Sequence, residues 1–259
     1  TTDGSMANLL LMGQGKADIG FSMADASWDA YKGQGKFQGK PVNARVLMVL
    51  YPNRMHVVTV EGTGITKMSD LKGKRVSTGA PNSATQIMAY RVLEAYGIDP
   101  EKDIIRERLD PGKSADAIKD KKLDAFFWVG GVPTPAVTDL GATPGLKLKL
   151  IDHAEATDAM VKKYGPLYVK DTIPAKSYPG QDAPNNIATV WNVLLADEKM
   201  SDQMAYDVVK TIFDRKEDLI RVHAEAKNFD YKYQTPGAAV IPFHPGAKKY
   251  FAEKGIKLN

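Results

Sequence analysis

Lys74-Arg75-Val76-Ser77-Thr78-Gly79-Ala80-Pro81-Asn82-Ser83-Ala84-Thr85 is the stretch on which the fold turns. Lys74–Ser77 is a short β-prone run. Residues 78–83 are dense in Gly, Pro, Asn and Ser, the residues that bend a chain. From Ala84 to Tyr96 the apolar positions Ile87, Val92, Leu93 and Tyr96 recur at helical spacing, and Gly97 supplies a C-terminal stop. A strand, a turn and a helix in that order form part of a βαβ unit. Upstream, Met68–Gly73 reads as a short capped turn. Downstream, a strand ending at Leu109, a helix over 114–121 and the apolar strand Leu123-Asp124-Ala125-Phe126-Phe127-Trp128-Val129 continue the alternation. That pattern predicts α/β architecture with parallel strands.

The same grammar extends in both directions. Ser5 is placed to cap a helix carrying Met6, Leu9 and Leu10, stopped by Gly13 and Gly15. Ala17–Ser22 reads as a buried strand, and Asp25 as the cap of a helix through Trp28 and Tyr31. Ala44–Leu50 and His56–Val60 are two β-rich runs, with Tyr51-Pro52-Asn53 predicted as the turn between them. Pro and Gly punctuate 173–186. An apolar run over 187–195, a helix over 202–213 and a closing helix over 247–254 complete the chain.

Composition narrows the function classes. With 259 residues, 43% hydrophobic and 25% charged, the chain is an ordinary globular sequence of one large or two modest domains. Its longest apolar stretches, such as Ala125–Val132, fall far short of the roughly 20 residues that cross a bilayer. The excess of 35 Lys and Arg over 31 Asp and Glu is mild, and no run of five like charges suggests a nucleic-acid arm or a polybasic membrane patch. The absence of cysteine removes disulfides, thiolate metal sites and cysteine nucleophiles. The four histidines have no helical metal-ligand spacing, so no metal or cofactor is expected. The opening Thr1-Thr2-Asp3-Gly4-Ser5 reads as a turn between elements, and the expectation is that the natural chain starts earlier, behind a signal peptide.

Three segments carry candidate chemistry. In Gly79-Ala80-Pro81-Asn82-Ser83-Ala84-Thr85, the free N–H groups of a helix start, with the Ser83 and Thr85 hydroxyls, form a neutral receptor for carboxylate or phosphate. The lysine of a nucleotide-binding P-loop is missing. The bland alternative is a capped helix with nothing bound. In Phe126–Thr134, Gly130 and Gly131 admit a ligand close to backbone at a strand's carboxyl end, with Phe127 or Trp128 as a wall and Pro133 beyond. Those aromatics could equally fill a core. Ser5 and Asn8 form a third polar helix start, and Asp25 follows a strand end. His56 reads as a packed histidine and His244 as a structural turn residue. Arg45, Arg54, Lys74, Arg75 and Arg91 read as surface charges. With no nucleophile elbow, no HExxH and no dinucleotide fingerprint, no acid–base constellation marks an enzyme.

Together these stretches resemble one family. Thr2-Asp3-Gly4-Ser5…Asn8, Gly15–Gly20, Leu50-Tyr51-Pro52 and His56 match its first half. Asp70-Leu71-Lys72-Gly73-Lys74-Arg75-Val76, Ser83-Ala84-Thr85, Leu93–Gly97, Leu123–Phe127, Gly130–Pro133, Ile173-Pro174, Tyr178 and Pro242-Phe243-His244-Pro245-Gly246-Ala247 match the rest. The family is the TAXI solute receptors of TRAP transporters. The resemblance implies a two-lobed periplasmic binding protein of the type II class, with mixed sheets flanked by helices. Lobe one would comprise 1–63 and 184–259, lacking an N-terminal strand, and lobe two 64–183, with a hinge near 61–65 and 180–187. It implies a monomeric periplasmic receptor that takes a glutamate-like amino acid or dicarboxylate and delivers it to a membrane TRAP permease. Ser5 and Asn8 would face the ligand from lobe one, Ser83, Thr85 and Gly130–Pro133 from lobe two, and Tyr51 would lie near the crossover. Relatives tend to place Gly beside the Ser of the Asn82–Thr85 segment, so backbone donation there is expected to differ. The competing readings are an enzyme of the same fold acting on a phosphorylated or carboxylate substrate, and a sensing domain of a larger regulator.

Overall fold

The computed structural model describes residue 2 and residues 4–258; Thr1 and Asp3 of the predicted opening turn, and Asn259, lie outside the described residues. In chain order the elements are α1 (Ser5–Gly13), β1 (Ile19–Met23), α2 (Ala24–Tyr31), β2 (Ala44–Val60), β3 (Arg75–Ser77), α3 (Ala84–Ala95), β4 (Ile105–Glu107), α4 (Pro111–Lys119) and β5 (Ala125–Gly130). They continue as α5 (Pro135–Ala142), β6 (Leu148–Leu150), α6 (Ala156–Tyr164), β7 (Tyr168–Ile173), β8 (Asn185–Asp197), α7 (Asp202–Asp214), α8 (Lys216–Val222), α9 (Pro236–Ala239) and α10 (Pro245–Glu253). Among the described residues no helix is long and apolar enough to cross a membrane.

The chain divides into two compact units: Thr1–Asn53 with Val190–Asn259, and Arg54–Thr189. The boundaries expected from sequence, 63/64 and 183/184, fall inside the second unit. β2 is one continuous strand, and Tyr51-Pro52-Asn53 is no turn. Its second half is held by pairing, Arg54 to Thr59 running antiparallel to Gly130 back to Ala125, so cross-strand partners override the turn signal of Pro-Asn.

In the first unit β1 pairs antiparallel with β8, Ile19 to Met23 against Ala196 to Asn192. The core there is built from Met6, Leu9, Leu47, Met48, Tyr250 and Phe251. Phe213 stacks on Tyr231 at 4.3 Å between ring centres, which locks α7 to the C-terminal segment. His244 caps α10: its Nδ1 accepts from the Gly246 amide at 3.2 Å, so its Nε2 carries the proton donated to the Met200 carbonyl at 3.0 Å. The structural reading of His244 holds.

In the second unit β5 lies between β2, antiparallel, and β3, parallel; β4 extends the sheet parallel to β3, and β6 pairs with the end of β2. The sheet is therefore mixed. Val58, Phe126, Val137, Leu140, Leu148, Ile173 and Tyr178 share one core. The important consequence is positional: β3 and β5 are parallel neighbours, so the segments leaving Ser77 and Gly130 both emerge from carboxyl ends.

Candidate ligand-binding residues in each unit

The loop after β3 is shaped by Gly79. Its φ is +96°, and a Cβ there would lie 2.7 Å from Thr85 Cγ2 and 2.9 Å from Thr85 Cβ. Only glycine satisfies both constraints. Beneath the loop, Ser77 Oγ accepts from Leu109 N–H at 3.0 Å and pins the strand end. Ser83 is the N-cap of α3: its Oγ accepts from Gln86 N–H at 3.2 Å and donates to the Ala80 carbonyl at 2.7 Å. The hydroxyl expected to greet a ligand is thus committed to the loop. What the helix start offers is backbone: the Ala84 and Thr85 amides occupy the first two helical positions, outside the intrahelical ladder. Thr85 is buried and packs its methyl group against Gly79. Pro81 and Asn82 are exposed on the loop, Asn82 at φ +62°.

The segment after β5 differs from expectation in two ways. Phe127 is 1% exposed and belongs to the interior, whereas Trp128 is half-buried. Strand alternation sends neighbours to opposite faces, and of this pair only Trp128 reaches the surface. Gly130 is not an opening for a ligand: a Cβ there would meet the Trp128 indole at 2.7–2.9 Å. The indole lies back over Gly130 and occupies that space. Trp128 Nε1 donates to Thr134 Oγ1 at 2.9 Å, and Thr134 Oγ1 donates to the Gly131 carbonyl at 2.8 Å. Gly131 is half-buried and Pro133 exposed.

Beneath this turn runs a polar chain that sequence reading did not assemble. The Tyr178 hydroxyl accepts from Thr134 N–H at 3.1 Å and lies 2.7 Å from His56 Nε2; His56 Nδ1 lies 2.9 Å from the Arg54 carbonyl. His56 is fully buried, as expected of a packed histidine. Its pKa is pushed down to about 4, chiefly by burial, with the charges of His153 and Arg54 adding to the effect. The available signals were separate, a histidine on an alternating strand and an isolated Tyr178.

Arg45, Arg54, Lys74, Arg75 and Arg91 each have a partner within the protein. Arg75 forks onto Asp124 (2.6 and 3.0 Å), Arg54 pairs with Asp171 at 2.9 Å, Arg45 with Glu198 at 2.8 Å, and Lys74 Nζ donates to the Thr63 carbonyl at 2.8 Å. Arg91 is no surface charge: it is 9% exposed, donates to the Tyr168 hydroxyl at 2.6 Å and lies 4.3 Å above the Tyr164 ring.

In the first unit the predicted residues are largely structural. Ser5 does not cap α1; Gly4 holds that position, and Ser5 Oγ accepts from Met23 N–H at 3.0 Å, tying α1 to the end of β1. Asn8 is occupied at both ends, accepting from the Thr2 hydroxyl at 2.6 Å and donating to the Phe21 carbonyl at 2.7 Å. Asp25 lies in the first turn of α2, not at the cap, accepts from Ala26 N–H at 2.8 Å and is wholly buried, so it presents no surface to a ligand. Tyr51 differs: it walls an apolar cavity of about 300 Å³ with Phe21, Leu50, Leu194, Leu219 and Phe229. Its hydroxyl receives a long contact from Asn192 Nδ2 at 3.4 Å, and burial, then Glu225, raises its pKa.

This arrangement is the mixed α/β fold of periplasmic binding proteins. The periplasmic aliphatic sulphonate binding protein SsuA from Escherichia coli superposes with a TM-score of 0.50 at 14% identity, covering 88% of this chain and 67% of that one. A protein from Bordetella bronchiseptica RB50 gives 0.53 at 15% identity, over 96% of this chain and 76% of its own. A Xanthomonas citri protein bound to chloride ion gives 0.50 at 9%, over 94% and 77%. At such identities the likeness is one of fold. The sequence itself matches the NMT1-like family over residues 1–255, and the chain belongs to that family.

Proposed function

We propose that this protein is an extracytoplasmic solute-binding receptor for a small organic anion, a glutamate-like amino acid or a dicarboxylate, of the TAXI type, serving a TRAP permease as a monomer. One observation carries the reading. The Ala84 and Thr85 amides, at a helix start, and the Gly131–Pro133 turn leave the carboxyl ends of two adjacent parallel strands of one unit. That is where open α/β sheets take ligands, and helix-start amides, which lack an intrahelical acceptor, favour an anion. The description of the Escherichia coli relative as a sulphonate-binding protein is consistent with such a receptor. An enzyme reading finds little support in these residues. The histidine closest to the turn is fully buried, and both its ring nitrogens have partners within the protein.

The test is a thermal-shift and calorimetric screen against amino acids, dicarboxylates, aliphatic sulphonates and phosphorylated metabolites. A ligand at 100 times its Kd stabilises the native state by about 2.7 kcal/mol, a readable shift. A carboxylate that binds and is recovered unchanged supports the receptor reading. Turnover of any compound, or binding confined to phosphorylated ones, overturns it. Delivery is tested separately with a TRAP permease in proteoliposomes: uptake driven by an ion gradient and dependent on this protein is expected, whereas a requirement for ATP overturns that part.

A further inference from the structure

The hydrogens in the buried polar chain of the second unit can be assigned from the geometry. A carbonyl only accepts, so His56 Nδ1, 2.9 Å from the Arg54 carbonyl, carries the ring proton. In the neutral ring Nε2 is then an acceptor, and the Tyr178 hydroxyl, 2.7 Å away, donates to it. The same phenolic oxygen accepts the Thr134 amide at 3.1 Å. Thr134 in turn holds both Trp128 and the Gly131 carbonyl. Each link has one polarity, and reversing the first reverses the demand on the next. His56 and Tyr178 are 0% and 2% exposed, so water does not substitute for a lost partner.

We infer that Tyr178 and His56 are positioning residues for the Gly131–Thr134 turn, and that protonation of His56 loosens it. With Nε2 protonated, the imidazolium becomes a donor toward Tyr178. The phenolic hydrogen must then turn away from His56, while His56 Nε2–H and Thr134 N–H both point at the same oxygen. The turn gives way first because Gly131 and Pro133 are its exposed side, while His56 is held on a paired strand. The charged and titratable groups facing His56 are few. Arg54 on its own strand is paired to Asp171 of β7, and His153 follows β6 with its own protonation disfavoured by burial. Burial first, and then the charges of His153 and Arg54, oppose a charge on His56, so the change falls well below neutral pH. The consequence for ligand capture rests on the receptor reading above; the turn's response to pH does not.

The experiment uses the full chain with Trp28→Phe and Trp191→Phe, leaving Trp128 as the sole indole and hence a reporter at the turn. Its emission and acrylamide quenching are followed from pH 7.5 to 3.5 without ligand, with far-UV circular dichroism as the control for global unfolding. A Trp128 transition centred near pH 4, ahead of loss of circular dichroism, is expected. It should vanish in His56→Gln and persist in His153→Gln. In Tyr178→Phe, which keeps the ring and its packing, Trp128 should be as quenchable at pH 7.5 as the parent is in acid. An unchanged transition in His56→Gln, or parent-like Trp128 quenching in Tyr178→Phe, overturns the inference. Should a carboxylate ligand be in hand, its affinity at pH 7.5 should fall about tenfold in Tyr178→Phe. Absence of any ligand would count against the receptor reading and leave the fluorescence result standing.

Discussion

At the scale of single residues, the side chains that look most like ligand contacts divide by where their hydrogen bonds already go. Ser83 Oγ spends itself on Gln86 and Ala80. Ser83→Ala is therefore expected to cost about 1 kcal/mol of stability through the lost cap and to leave ligand affinity within twofold. Denaturant unfolding and calorimetry on the same variant separate the two. A large affinity loss without destabilisation would mean that the hydroxyl turns to the ligand. Gly130→Ala makes the opposite point. The added Cβ falls within 2.9 Å of the Trp128 indole, so overpacking of about 1–3 kcal/mol is expected, together with a shift in Trp128 emission. Neither role is visible in the words Asn-Ser-Ala-Thr or Gly-Gly, because both depend on where a rotamer points.

At the scale of elements, α3 is legible almost in full. Its start after Ser83, its apolar spacing and its stop before Gly97 follow from local chemistry, and the structure places it at Ala84–Ala95. β5 is equally clear from Ala125-Phe126-Phe127-Trp128-Val129, a run long enough for a strand and followed by Gly130-Gly131. β2 is not. Pro52-Asn53 is a good turn signal taken alone, and only pairing partners distant in sequence keep the strand straight. Since Gly79 holds φ +96° and abuts Thr85, Gly79→Ala should strain the β3–α3 junction. A loss of about 1–3 kcal/mol is expected in urea unfolding, with amide-exchange protection lost first at Gln86, whose N–H is held by the Ser83 cap.

At the scale of the whole molecule, acid sensitivity follows from two histidines. His56 and His153 are fully buried, and burial lowers each from the ordinary 6.5 to about 4. Between those values the unfolded chain binds protons that the folded chain does not. Stability is thus complete above about pH 6.5 and declines as pH falls toward 4, by up to about 3 kcal/mol per histidine. Unfolding midpoints compared at pH 7.5 and 4.5 should show the decline, and His153→Gln should make it shallower. Midpoints that do not move with pH in the parent would show that neither ring is held neutral.

The sequence by itself determined the alternation of strands and helices, the helix-start loop at Gly79–Thr85, the packed place of His56 and the turn role of His244. Those are outcomes of local propensity and hydrophobic period, which act over a few residues. Tertiary structure alone decided that β2 runs unbroken, that Ser5, Asn8 and Asp25 serve the framework, that Trp128 covers Gly130, and that His56, Tyr178 and Thr134 meet. Each of these depends on the direction of a hydrogen bond or the path of a side chain between residues far apart in the chain. Spacing along a sequence carries no record of it.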